Sequence, residues 1–406
     1  MFRILVIIFI LIGQTYLFVW LKKYLLQAKF FPVWFTKASI SVFIIFNLPL
    51  IFVYFYIWQL THFSKAVLAL LLPFYIWHIA TLFIFLVLVG IDLIKLPFKL
   101  SYYAATFHPS IKSKVQIMKE STDFKKFDAS RRSFLQKGVI GLSAYSFVGA
   151  TVGAIDGDEF DVINKTITIP NLPEEFKGFT IGMMSDIHSS VFMNKQDMDG
   201  YVSAMNSLKT DLIVVTGDFV NSQTEEVYQF AEAFSNLKST NGVYGCLGNH
   251  DYFAKDVELV AKKVDECGVK LLRNDAIKIQ KGNSFFNLIG VDDIGRNVKP
   301  DEYMTNALSS ARNDQPKILL CHKPYYFSNA KNLGIDLTLS GHTHGGQVVF
   351  GQIDGVPISL AALFSKYIAG LYTLGNSQLY VNKGIGSVGV PFRINCPPEL
   401  TVITLA

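Results

Sequence analysis

Residues 211–218 read DLIVVTGD and residues 242–251 read GVYGCLGNHD. Each is a short aliphatic run that stops at a glycine followed by polar side chains able to bind metal. An unbroken apolar run of this length is the pattern of a strand covered on both faces, as in sheets flanked by helices. Four more apolar runs end in polar side chains: FTIGMMSD (179–186), NLIGVDD (287–293), KILLCH (317–322) and DLTLSGHTH (336–344). Amphipathic helix candidates alternate with them at Lys195–Lys209, Glu225–Leu237 and Asp256–Cys267. The alternation predicts an α/β domain with a mostly parallel sheet covered by helices. From Gln347 onward, strand-like runs with little helical pattern predict a second sheet.

The first third of the chain is of a different kind. Half of the 406 residues are hydrophobic and only 17% are charged, too apolar for a chain that is soluble throughout. The excess lies in three runs, Ile4–Leu21, Ile40–Leu60 and Ala66–Ile91, each long enough to cross about 30 Å of hydrocarbon. Three membrane helices are expected in residues 1–92. Val139–Ala154, rich in Gly, Ser and Ala, predicts a fourth span or a signal-type segment over 139–155. His78 lies inside the third run, where its bland reading is a hydrogen-bonded histidine between helices.

Charge assigns the orientation. Lys22, Lys23, Lys29 and Lys37 follow the first run, and a basic connection over 93–138 follows the third, whereas only Lys65 lies between the second and third. The positive-inside rule puts both basic connections in the cytoplasm, at a bacterial cytoplasmic membrane. A crossing by 139–155 then places the domain of residues 156–406 outside, with the cytoplasmic face as the alternative. Within the connection, SRRSFLQKG (130–138) carries an adjacent Arg131–Arg132 pair ahead of an apolar run. This is the form of a twin-arginine export signal, or simply inside-positive charge beside a helix. The formal net charge of +5 gathers around these spans, so membrane lipid is the expected partner and nucleic acid is not. The four cysteines, Cys246, Cys267, Cys321 and Cys396, show no ligand spacing and read as small buried hydrophobes.

Chemistry collects where the strands stop. Asp186 and His188, Asp218, Asn249, His250 and Asp251, His322, and His342 and His344 all fall at strand ends, which converge on one rim in α/β sheets. A lone histidine at such a place is usually structural. Here, however, all five histidines of residues 156–406 lie in these motifs, which chance placement does not explain. Imidazole together with carboxylate oxygen suits zinc, iron or manganese. A bridging carboxylate such as Asp218 would draw two divalent ions together for hydrolysis by activated water, with no serine or cysteine nucleophile needed.

The ordered set DIH, GD, GNHD, CH and GHTH resembles the calcineurin-like metallophosphoesterase superfamily over about Phe179–Leu405. The resemblance implies two central sheets flanked by helices in four layers. It also implies one metal held by Asp186, His188, Asp218 and His344, and a second held by Asp218, Asn249, His322 and His342. His250 would then stand beside the phosphate as stabiliser or proton donor, with Asp251 orienting it. GHTHGGQV (341–348) and GIGSVGVPFRINCPPEL (384–400) are similar to a membrane-associated bacterial branch of twin-arginine-exported envelope phosphoesterases and transmembrane metallophosphoesterases. Relatives in that branch hydrolyse UDP-2,3-diacylglucosamine in lipid A synthesis. Arg393 is a candidate contact for phosphate, with an ordinary surface arginine as the alternative.

The expected function is hydrolysis of a phosphodiester, phosphomonoester or pyrophosphate bond, on a lipid-linked or envelope substrate. Two alternatives stand beside it: a UDP-diacylglucosamine pyrophosphohydrolase at the cytoplasmic face, and a non-catalytic membrane sensor or scaffold that binds a phosphorylated ligand.

Overall fold

The computed structural model describes residues 2–24, 33–55, 65–155, 159–293, 300–312, 314–353, 356–388 and 392–406. The far end of the second expected span, 56–60, and the expected boundary at Asp156 lie outside the described residues. Two compact units divide the chain at Val152/Gly153.

The first unit is helical: α1 Phe2–Tyr24, α2 Val33–Phe55, α3 Lys65–Thr106, α4 Pro109–Glu120 and α5 Thr122–Ile155. Among the described residues, one stretch, Leu70–Thr106 of α3, is long and apolar enough to cross a membrane; the apolar parts of α1 and α2 are shorter. Leu17, Ile84, Phe85 and Leu88 form the buried cluster of this unit, joined by Val139, Leu142 and Phe147 of α5. Gln14 Nε2 donates to Thr81 Oγ1 at 2.7 Å, and Gln14 Oε1 accepts from Trp77 Nε1 at 3.3 Å, so these three polar side chains satisfy one another. The His78 ring nitrogen Nδ1 lies 2.6 Å from the Phe74 carbonyl one turn back. The connection over 93–138 is almost wholly helical. Arg131 and Arg132 fall inside α5 rather than in an extended leader, and Arg131 pairs with Asp128 at 2.7 Å.

The second unit is a sandwich of two six-stranded sheets. The first sheet contains β1 Asp161–Ile167, β2 Thr180–Met184, β3 Leu212–Thr216, β4 Val243–Cys246, β5 Val269–Leu271 and β14 Glu399–Leu405, in the order β1-β14-β2-β3-β4-β5. The second contains β6 Asp275–Lys281, β7 Ser284–Gly290, β8 Lys317–Leu320, β9 Leu337–Ser340, β12 Gly370–Leu374 and β13 Ser377–Val381, in the order β12-β13-β9-β8-β7-β6. β2 through β5 run parallel, as do β7, β8, β9 and β13.

Strand alternation sorts the apolar side chains into layers. Leu212 and Val214 of β3 face the second sheet, in a core that includes Met183, Phe286, Leu320 and Leu339. Ile213 and Val215 face the opposite way, onto α6 Lys195–Ser207, α7 Glu226–Phe234 and α8 Val257–Glu266. α9 Pro300–Ser309 and α10 Phe327–Asn332 cover the outside of the second sheet. All four cysteines are free; Cys246, Cys321 and Cys396 are buried and Cys267 is half-buried.

One expectation needs correction. The six motif-bearing strands do not share a sheet: β2, β3 and β4 lie in the first, and β7, β8 and β9 in the second. The tail does not form one second sheet either: β12 and β13 extend the second sheet, β14 inserts into the first, and a two-stranded ribbon of Val349–Ile353 and Val356–Ser359 stands apart from both. Local pattern reports that a strand is covered on both faces, and it is silent about which neighbour covers it.

Phe286 is fully buried between the sheets, edge-on to Phe176 at 5.0 Å and Phe179 at 5.9 Å. Phe286→Ala is expected to destabilise this domain by about 3–5 kcal/mol, read as a lower midpoint in chemical denaturation followed by circular dichroism.

Candidate metal centre

The candidate residues follow strand ends, and five of them have a backbone that most side chains avoid. Asp186, His188, Asp218, His342 and His344 all have positive φ, between 50° and 76°. This left-handed region costs a non-glycine residue roughly 1–2 kcal/mol, and its concentration at one rim marks strain retained for function. Close approach adds a second constraint. A Cβ on Gly248 would overlap Asp218 Oδ1, and one on Gly341 would overlap Asp186 Oδ2. The glycines of GNHD and GHTH therefore let two strand-end loops lie directly against the carboxylates.

The donors form three overlapping groups, each with its atoms within 4.8 Å of one another: Asp186, His188 and His344; His188, Asp218 and His250; Asp218, His322 and His342. Asp218 Oδ2 lies 3.1 Å from His322 Nε2 and 3.5 Å from His188 Nε2, so this one carboxylate is shared between groups. Asp186 Oδ1 lies 3.3 Å from His344 Nε2, and the His188 and His344 Nε2 atoms are 3.0 Å apart. The His322 ring is fixed from behind, its Nδ1 2.8 Å from the Thr216 carbonyl, which turns Nε2 toward Asp218.

The electrostatics are those of a site that wants positive charge. Burial pushes His188 and His342 down to about 3 and Asp186 up to about 6. Burial opposes charge on His322 as well, but the Asp218 carboxylate outweighs it and raises the imidazole to about 10. Neutral imidazoles are the form that binds metal, and the proton drawn to His322 marks where a cation is stabilised. Asn249 Oδ1 is buried without a hydrogen bond. An orphaned amide oxygen amid buried imidazoles and carboxylates completes a fitting donor set for divalent cations.

Two expected roles are placed differently. Asp251 does not hold the His250 ring. Its carboxylate accepts from the backbone N–H groups of Asp218 (3.1 Å), Val220 (3.1 Å) and Gly248 (2.8 Å), stapling together the two loops that carry Asp218 and Asn249. The His250 ring is instead fixed at Nδ1 by the Asn221 carbonyl, 2.6 Å away. Arg393 is 7% exposed, and its guanidinium donates to the carbonyls of Lys383, Gly384, Gly386 and Cys396, with one nitrogen 3.4 Å from His344 Nδ1. Its donors are directed at this chain rather than at solvent.

Sequence reading passed over Ser185, Asn382 and Glu399. Ser185 Oγ donates to Asp186 Oδ2 and meets Asn382 Oδ1 at 3.0 Å, while Asn382 Nδ2 donates to Thr401 Oγ1 at 2.8 Å. Glu399 Oε1 accepts from Tyr380 OH at 2.7 Å and from Thr401 Oγ1 at 2.6 Å. A glutamate within PPEL, between a proline pair and an apolar strand, was the one visible signal.

An α/β sandwich with histidines and carboxylates at the rim shared by its two sheets defines a metal-centre hydrolase fold. The profile of the calcineurin-like phosphoesterase family matches residues 179–346. An uncharacterized metallophosphoesterase, YkuE, of Bacillus subtilis is 31% identical over 290 residues, covering 68% of this chain and 97% of its own length. The chain belongs to the calcineurin-like phosphoesterase family, whose domain is that of a metal-dependent phosphoester hydrolase. A transmembrane protein with metallophosphoesterase domain from Danio rerio is 32% identical over 60% of this chain, which spans 57% of that relative's length. Phosphodiesterase YaeI of Escherichia coli is 28% identical over 68% of this chain and 99% of its own length.

Asp251→Asn keeps size but opposes an amide N–H₂ to backbone N–H donors, a cost of about 1–3 kcal/mol per unsatisfied buried group. It is expected to weaken Mn²⁺ binding at least tenfold by calorimetry, although Asp251 is no candidate ligand. Unchanged affinity would remove its stapling role.

Proposed function

We propose that this protein is a membrane-anchored, two-metal phosphoesterase that hydrolyses a phosphodiester, phosphomonoester or pyrophosphate bond on a lipid-linked or envelope substrate. The single observation that carries the proposal is the sharing of Asp218 between two groups of buried imidazoles at 3.1 and 3.5 Å. In this reading Asp186, His188, Asp218 and His344 hold one cation, and Asp218, Asn249, His322 and His342 hold the other. Manganese, iron and zinc all suit this donor set. Such a pair supplies, when bound, a nucleophile from water near neutral pH and a clamp on phosphoryl oxygens.

The chain's own residues position and protonate. His250 is half-buried at the rim, with Nδ1 held against the Asn221 carbonyl. With Nδ1–H committed to that carbonyl, it is the imidazolium form whose Nε2–H gives a proton to the departing oxygen, leaving a neutral ring protonated at Nδ1. Asp251 keeps the two loops in register, and Arg393 steadies the segment behind His344. The similarity to relatives named as transmembrane proteins supports an envelope or lipid-linked substrate.

For anchoring, we read α1, α2, α3 and the second half of α5 as four spans, with residues 156–406 outside the cytoplasm. The packing of Val139, Leu142 and Phe147 onto the α1–α3 cluster supports counting α5 among them. The lysines at 112, 114, 119, 125 and 126 support a cytoplasmic α4 and α5 start. In that arrangement the Arg131–Arg132 pair lies at the cytoplasmic end of α5, as a twin-arginine signal or as flanking charge.

The test is hydrolysis of bis(p-nitrophenyl) phosphate by the full chain in detergent. Activity is expected to vanish with chelator and return with Mn²⁺. Asp218→Asn should abolish it, and His250→Ala should lower kcat by about 10²–10⁴-fold with little change in metal content. Equal rates for wild type and Asp218→Asn would leave a phosphate-binding sensor in place of an enzyme.

A further inference from the structure

β10 Val349–Ile353 and β11 Val356–Ser359 form an antiparallel ribbon that belongs to neither six-stranded sheet. An antiparallel ribbon on a water-exposed surface turns polar residues outward. This one turns mostly apolar residues outward. Val349, Pro357 and Ser359 are buried, while Phe350, Ile358 and Leu360 face out together with the polar Gln352. The short helical turn Leu360–Leu363 continues the apolar face, with Leu363 75% exposed, Phe364 84% and Ile353 64%. Residues 347–374 hold two charged residues, Asp354 and Lys366, of which Lys366 is exposed.

A contiguous apolar surface of this kind marks an interaction site. Its base is fixed to the metal centre. Asn395 Nδ2 donates to the Val349 carbonyl at 3.1 Å, and Gly346, two residues past His344, packs so closely on Ser359 that a Cβ there would overlap its Oγ. Two observations identify the occupant. On the membrane-anchored reading, the apolar helix Leu70–Thr106 keeps the chain at a bilayer, and the patch combines aliphatic and aromatic tips with one cation, a composition that beds into a lipid interface. We infer that the β10–β11 ribbon and the Leu360–Phe364 turn form a bilayer-docking element that seats the metal-centre rim on lipid headgroups. The inference rests on the membrane-anchored reading of the chain and is independent of its hydrolytic activity.

The experiment uses the full chain reconstituted into phosphatidylcholine/phosphatidylglycerol vesicles, with an environment-sensitive nitrobenzoxadiazole label at Phe364→Cys or, as control, at Glu174→Cys on an exposed polar turn. The unsubstituted chain gives the labelling background of the native cysteines. The label at 364 is expected to emit to the blue and to be quenched at least twofold by doxyl-labelled phosphatidylcholine, with the label at 174 unaffected. Equal behaviour of the two sites would overturn the inference. So would a blue shift at 364 that doxyl lipid does not quench, which would assign the patch to a second copy of the chain. Turnover of bis(p-nitrophenyl) phosphate by the same samples separates the readings: lipid quenching without turnover sinks the hydrolase, and turnover without quenching sinks only the docking element.

Discussion

Asp218 stands at the end of β3 in a left-handed conformation, with its carboxylate between the His188 and His322 imidazoles. A buried carboxylate is tolerable only when paired, and a backbone at φ 56° is tolerable only when its surroundings hold it. Asp251 meets the second requirement from below by accepting the Asp218 N–H, and His250 N–H, 2.8 Å from Asp218 Oδ1, fixes the side chain from above. The imidazoles meet the first. Everything else in the metal-centre domain can be understood as keeping these few atoms in place.

The two sheets do this together. β2, β3 and β4 deliver Asp186, Asp218 and Asn249 from one layer, and β8 and β9 deliver His322 and His342 from the other. A rim shared by two layers can surround a pair of cations on opposite sides, which a single sheet edge cannot. The cost is that the layers must not slide. Their common core of Met183, Phe286, Leu320 and Leu339 resists this, and so does the buried chain from Ser185 through Asn382 to Thr401 and Glu399. That chain links the ends of β2, β13 and β14 immediately behind Asp186.

The sequence made the strands and the donor residues legible because each motif is local: an apolar run that stops at a histidine, carboxylate or amide, with a glycine between them in GD, GNHD and GHTH. Helix positions followed too, since Asn194 and Asp256 cap α6 and α8 where their patterns begin. What escaped was non-local. Nothing in DLIVVTGD or KILLCH says that they lie in different sheets. The role of Asp251 depends on three N–H groups, two of them more than thirty positions earlier in the chain. Arg393 read as a free guanidinium because sequence does not show the carbonyls that surround it. The basic connection read as a linker, yet its helical periodicity continues through Arg131 into α5.

The central claim is that one carboxylate joins two metal sites. Electron paramagnetic resonance of the Mn²⁺-saturated full chain tests it directly, because two ions bridged by Asp218 are magnetically coupled. The account predicts an exchange-coupled spectrum in the wild type that collapses to an isolated-ion signal in Asp218→Asn. An isolated-ion spectrum from the wild type at saturating Mn²⁺ would contradict it.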